Sequence, residues 1–193
     1  DVHFRRTSEY MDDDQRFASR RPDVLTYESP ILGDNVTIAG PVIADLMASI
    51  STTDADFVVK LIDVYPDDFK YDSPTPVSMD EVKRMPYPMG GYEMLVRAEI
   101  MRGKFRNSFS KPEPFVPGKI SEVKWELTDV AHTFLKGHRI MIQIQSSWFP
   151  LVDRNPQKFI DIYKADDKDF QKANIRIYHD GDHESKIILP VLK

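Results

Sequence analysis

The residues of this chain that could do chemistry are five histidines, a serine pair and a charged triplet set in an aromatic loop. A serine hydrolase needs a nucleophile, a base within reach and an oxyanion hole. On α/β folds its mark is Gly-x-Ser-x-Gly, where the glycines permit a sharp elbow. No serine here stands between glycines at that spacing, so Ser146 and Ser147 read as loop hydroxyls. His132 and His138 lie close in sequence with Asp129 nearby, in outline a base and its orienter. The plainer reading has one histidine capping carbonyls and the other packing at a strand entry. His179-Asp180-Gly181-Asp182-His183 has the letters of a metal cluster and the form of a hairpin tip. Zinc needs three or four converging ligands, and a tight hairpin aims these apart. There are no cysteines, which removes disulfides, thiol catalysis and thiolate-bound metal. The expectation is a chain with no catalytic residue, no metal and no cofactor of its own.

The stretch around which the rest is organised is Ser-Ser-Trp-Phe-Pro-Leu-Val-Asp-Arg-Asn-Pro-Gln-Lys-Phe, residues 146–159. A strand, Arg139–Gln145, precedes it, with Ile140, Ile142 and Ile144 on one face. Prolines cannot continue a ladder, so the chain must leave the sheet here. Trp148, Phe149, Asp153, Arg154 and Asn155 are the candidate site residues, at a substrate cleft or at a boundary between domains. Beside two aromatics, Asp153 and Arg154 are expected to be partly buried. A planar guanidinium suits a bidentate partner, a carboxylate or backbone carbonyls, while Asp153 and Asn155 serve as turn-fixing acceptors. Two readings stand side by side. In one the loop is pinned for its own sake; in the other it walls a pocket built with another domain, where pockets often lie.

The elements that must position this loop are strands. Every even position of Val36–Ile50 is apolar or glycine, which gives one long strand or two broken at Gly40-Pro41. Further alternating or apolar runs cover 24–27, 56–65, 92–102 and 121–127, the last with Val123, Trp125 and Leu127 inward. Asp63 is an oddity in its run. Thr128 reads as the cap of a short helix over 129–135 that ends at Gly137. Runs at 174–179 and 186–192 read as two last strands joined by a hairpin at Asp180-Gly181. The excursion at 66–91 is rich in proline, is expected to hold one helical turn over 79–84, and is long enough to be functional or interfacial. Residues 1–23 are polar and aperiodic, a linker or an arm from an upstream domain. The count is about eight strands with long loops and few short helices, without βαβ alternation. That is an all-β fold, a β-sandwich over 24–193, and its natural eight-strand form is the jelly roll.

A length of 193 residues suits one domain, or one with a tail, and a hydrophobic share of 41% can build a core. A net charge of −5 supplies no basic field for nucleic acid or a membrane surface. No apolar run approaches the roughly 18 residues of a membrane-spanning helix. No signal peptide is visible, and the start looks abrupt, as if a domain preceded it. Asn35-Val36-Thr37 fits a glycan acceptor, a pattern that chance often produces.

Several stretches resemble one family: Arg21-Pro22-Asp23-Val24-Leu25-Thr26-Tyr27, Asp54-Ala55-Asp56-Phe57-Val58-Val59-Lys60-Leu61-Ile62-Asp63-Val64-Tyr65-Pro66, Gly91-Tyr92-Glu93-Met94-Leu95-Val96-Arg97, Arg106-Asn107-Ser108-Phe109, Pro112-Glu113-Pro114-Phe115-Val116-Pro117-Gly118, Gly137-His138-Arg139-Ile140 and the loop itself. They look like the C-terminal, non-catalytic domain of the X-Pro dipeptidyl-peptidase and cocaine-esterase-like serine hydrolases. Within that group they are most similar to α-amino acid ester hydrolases and glutaryl-acylase-like proteins. The resemblance runs in order from about Arg16 onward. It implies a jelly roll packed on an upstream α/β-hydrolase domain of the same polypeptide, which carries the Ser-His-Asp triad and takes a small ester or amide at a shared cleft. No triad motif of the family matches any position here, so no catalytic residue carries over. The resemblance favours a periplasmic or secreted parent, and a homo-oligomer is compatible with it. The alternative is a free-standing jelly-roll binding module, for instance for carbohydrate, using Trp148, Phe149 and Tyr163 as an aromatic platform. Fold alone does not separate the two.

Overall fold

The computed structural model describes residues 12–70 and 89–193. The strands are β1 (Val24–Glu28), β2 (Val36–Ile50), β3 (Asp56–Val64), β4 (Glu93–Arg102), β5 (Ser121–Phe134), β6 (Arg139–Gln145), β7 (Ile175–Ile177), β8 (His179–Asp180), β9 (His183–Glu184) and β10 (Lys186–Ile188). One sheet has the order β1-β6-β3-β4; the other is β10-β2-β5, with β7 also paired to β2. All pairings are antiparallel. Eight strands thus make two sheets, and β8-β9 is a separate hairpin. The chain changes sheet between β1 and β2, β2 and β3, β4 and β5, β5 and β6, and β6 and β7. That crossing pattern gives the sandwich the jelly-roll character expected of it.

The core is what the alternation demands. Even residues of β2 (Ile38, Val42, Ala44, Leu46, Ala48, Ile50) meet odd residues of β3 (Phe57, Val59, Leu61) and of β5 (Val123, Trp125, Leu127). β2 is one strand, not two: a register shift between Gly40 and Val42 absorbs the Gly-Pro pair, with Gly40 at φ +122°. The same shift corrects one expectation. Residues 129–135 are not a helix, because β5 runs unbroken to Phe134 and pairs there with Val36. Past the bulge the buried parity moves from odd (Trp125, Leu127) to even (Val130, Phe134), and that phase break resembles a helical cap in the sequence.

A second correction concerns the end of the chain. β7 and β10 do not pair with each other; both pair with β2, one after the other along the same edge. The Asp-Gly turn closes only the small β8-β9 hairpin between them. The helical turn expected over 79–84 lies outside the described residues. Among those described, no helix is long and apolar enough to cross a membrane.

Residues 12–23 lie across the outer face of the first sheet and carry α1 (Arg16–Ser19). The Gln15 amide N–H donates to the Glu93 carbonyl (3.0 Å), and the Ser19 hydroxyl donates to the Glu93 carboxylate (3.0 Å). Gln15 and Ala18 are buried by this contact. β3 is therefore covered on both faces, and all its residues but Val64 are buried.

Candidate functional site

The loop after β6 is held from below by Asp56, the first residue of β3. Arg102, at the end of β4, forks onto the Asp56 carboxylate with two bonds of 3.1 Å. Its guanidinium also donates to the Asp153 carbonyl (3.0 Å). Burial works against the charge of Arg102, but the Asp56 carboxylate holds it above its ordinary value. The Asn155 amide donates to Asp56 Oδ1 (2.8 Å), and its carbonyl oxygen accepts the Gln157 backbone N–H (2.8 Å). Asn155 and Pro156 are buried. Burial, with Asp56 adjacent, pushes the neighbouring Asp54 carboxyl upward. Its Oδ1 takes the backbone N–H groups of Ala55 and Lys104.

The bidentate guanidinium anticipated for this loop is present, but it belongs to Arg102. Asp153 and Arg154 are exposed, not partly buried. Asp153 contributes its backbone carbonyl, and Asn155 is the turn-fixing acceptor. The Arg154 guanidinium carbon sits over the rings of Phe149 (5.6 Å) and Phe170 (5.3 Å). Among the described residues no carboxylate or carbonyl accepts from it. The physical reason is placement: the carboxylate that reaches this loop rises from the sheet beneath, and Arg102 is its cross-strand partner there, directly opposite Asp56.

Trp148 and Phe149 wall a cleft of about 580 Å³ whose other side is the segment 12–23, with Phe17 and Lys60 among the lining residues. Lys60 is fully buried. Its ammonium donates to Gln15 Oε1 (2.8 Å) and lies over the rings of Trp148 (5.4 Å) and Phe17 (5.6 Å). Burial, with Arg21 nearby, lowers it to about 8. On the other side of the loop a second hollow of about 300 Å³ runs between Val152, Phe105, Phe109 and Tyr163. Phe149 is 57% exposed, Phe109 81% and Tyr163 86%. The loop thus combines a rigid base with an apolar, solvent-facing top.

The other candidates resolve differently. His132 and His138 do converge, but on Asp63 and not on Asp129: His132 Nε2 is 2.9 Å from Oδ2 and His138 Nδ1 is 2.7 Å from Oδ1. Asp63 and His138 are buried, and no serine or threonine hydroxyl bonds to either ring among the described residues. The assembly ties β3, β5 and the turn before β6 together. His183 bonds to Asp180 (3.2 Å) at the hairpin tip, as a turn contact. Sequence reasoning passed over Lys60, Asp56 and Arg102. The available signal was charge within apolar strands, since Lys60 and Asp63 both interrupt Phe57-Val58-Val59-Lys60-Leu61-Ile62-Asp63-Val64.

Comparison with known proteins gives a consistent set of relatives. Residues 4–188 match the model of the X-Pro dipeptidyl-peptidase C-terminal non-catalytic domain. Cocaine esterase from Rhodococcus sp. (strain MB1 Bresler) is 33% identical over 180 residues, which are 93% of this chain and 27% of that protein. Among solved structures, an aminopeptidase from a marine sediment Thaumarchaeota archaeon is 40% identical with a TM-score of 0.82, over 96% of this chain and 28% of that one. An α-amino acid ester hydrolase is 42% identical, also with a TM-score of 0.82, over 95% and 28%. The chain therefore spans little more than a quarter of the relatives it matches.

Proposed function

Because the chain belongs to the family of X-Pro dipeptidyl-peptidase C-terminal non-catalytic domains, we propose that it acts as an accessory domain on an α/β-hydrolase domain of the same polypeptide. In that role it walls part of an active-site cleft that takes small esters, amides or peptides. The observation that carries this reading is the loop at 146–159, pinned from beneath by Asp56 and Arg102 yet presenting Phe149 and its neighbours to solvent. Spending a buried ion pair to hold an exposed aromatic surface still makes sense where another surface covers it. Trp148 and Phe149 would supply the apolar wall, while Asp56, Arg102 and Asn155 keep it in place and do no chemistry. The sizes of the relatives favour this over a free-standing binding module.

The test uses the full-length polypeptide that carries this chain. Phe149→Ser with Tyr163→Ser should loosen the contact between the domains. Limited proteolysis of the junction should then speed up, and kcat/KM for a small ester should fall on the order of tenfold or more, the range a lost interface anchor produces. Parent-like proteolysis and turnover would mean that this face is not the one covered.

A further inference from the structure

Arg154 is held from both sides. The carbonyl of the preceding residue is fixed by Arg102, and the side chain of the following residue is fixed on Asp56. Its own side chain is exposed and lies against two rings, Phe149 and Phe170. Contact with ring faces engages a guanidinium through its π surface and positive charge. It does not use the N–H donors, which point outward in the guanidinium plane. Among the described residues no acceptor takes those donors. The nearby cations are matched otherwise: Arg102 to Asp56, and Lys158 to Asp169. Arg154 is thus a cation on a pinned stretch of backbone, its planar fork free among the described residues, lying between exposed Phe149 and Phe170. Arginine among aromatics, with its charge still to be met, is the composition of an interface anchor.

We propose that Arg154 is a docking residue whose guanidinium takes an Asp or Glu carboxylate of the surface that covers this loop, as a bidentate pair. The proposal rests on the reading that a second domain of the same polypeptide provides that surface. A planar fork matches a carboxylate in two parallel bonds, and stacking on the rings holds it ready, so little side-chain freedom is lost on docking. Covering the aromatic ring pair would also dry the contact, where a charge pair is felt most strongly.

The experiment is a charge-reversal cycle in the full-length polypeptide. Arg154→Glu should speed proteolysis of the domain junction on the order of tenfold or more, as loss of one partner of a covered charge pair does. Acidic residues of the rest of the polypeptide are then replaced one at a time by lysine in that background. One such replacement should restore parent-like proteolysis, and Arg154→Lys should recover only part of it. Parent-like behaviour of Arg154→Glu overturns the proposal, and so does a defect that no lysine replacement relieves. A third arm compares KM for a neutral ester with KM for one bearing a carboxylate. A KM rise confined to the charged ester would place the carboxylate on a ligand and equally overturn docking. If Phe149→Ser with Tyr163→Ser loosens the junction and Arg154→Glu does not, the covered-face reading stands and only this inference falls.

Discussion

Lys60 places an ammonium inside a strand that is buried on both faces, and it donates a hydrogen bond to Gln15 of the overlying segment. Burial lowers its pKa from 10.5 to about 8. The sign of the linkage follows. Between about pH 8 and 10.5 the unfolded chain holds this proton and the folded chain does not, so stability rises with pH across that window. Below it both states are charged, and the full cost of burying the ammonium is present. The slope from this one group is on the order of 1 kcal/mol per pH unit. Lys60→Met should remove it, which chemical denaturation of both proteins from pH 7 to 10.5 would show as a difference that shrinks with pH. A constant difference would mean that Lys60 keeps its proton throughout. The charge inside Val-Val-Lys-Leu marks Lys60 as unusual but does not announce its burial. Alternation says which face a lysine takes, but not that a segment some forty residues upstream will close over that face.

Asp63 is the element-scale counterpart, since one carboxylate joins β3 to His132 of β5 and to His138 at the entry of β6. The link crosses from one sheet to the other beside the turn that connects them. Asp63→Ala would leave two ring nitrogens without their partner in a largely buried site, at a cost of about 3 kcal/mol. Thermal unfolding should show this as a clear loss, and a melting temperature within a degree of the parent would refute the tie. The histidines and the odd aspartate were each visible in the sequence, but their meeting was not, because it depends on a strand register set by the bulge at Gly40. Strands with unbroken parity, such as Val36–Ile50 and Arg139–Gln145, were legible almost to the residue. Where a bulge shifts parity, as at Thr128-Asp129, period-2 reading fails and a helix appears in its place. Trp125, inward by the same alternation, is indeed buried. Its removal should cost about 3–5 kcal/mol, measurable as a lowered denaturation midpoint of Trp125→Ala.

For the molecule as a whole, the sheets and the family were legible in the sequence because both rest on local pattern and ordered motifs. The base of the candidate site was not, because Asp56, Arg102 and Asn155 come from three distant parts of the chain. That arrangement bears on what the chain can do alone. Both ring nitrogens that approach a carboxylate in the interior do so at Asp63; among the described residues no serine or threonine hydroxyl bonds to either ring, and the serines at the cleft, Ser146 and Ser147, have no histidine bonded to them. A serine without a positioned base is a weak nucleophile at neutral pH. The matched family model is itself described as non-catalytic. The 193-residue chain should therefore neither turn over p-nitrophenyl esters nor react with a fluorophosphonate probe. On the proposed accessory role, the full-length polypeptide should do both, with the label outside this chain. Peptide mapping of the labelled full-length protein decides the point. A phosphonylated serine mapped within these 193 residues would show that the nucleophile lies in the jelly roll, and the accessory role would have to be given up.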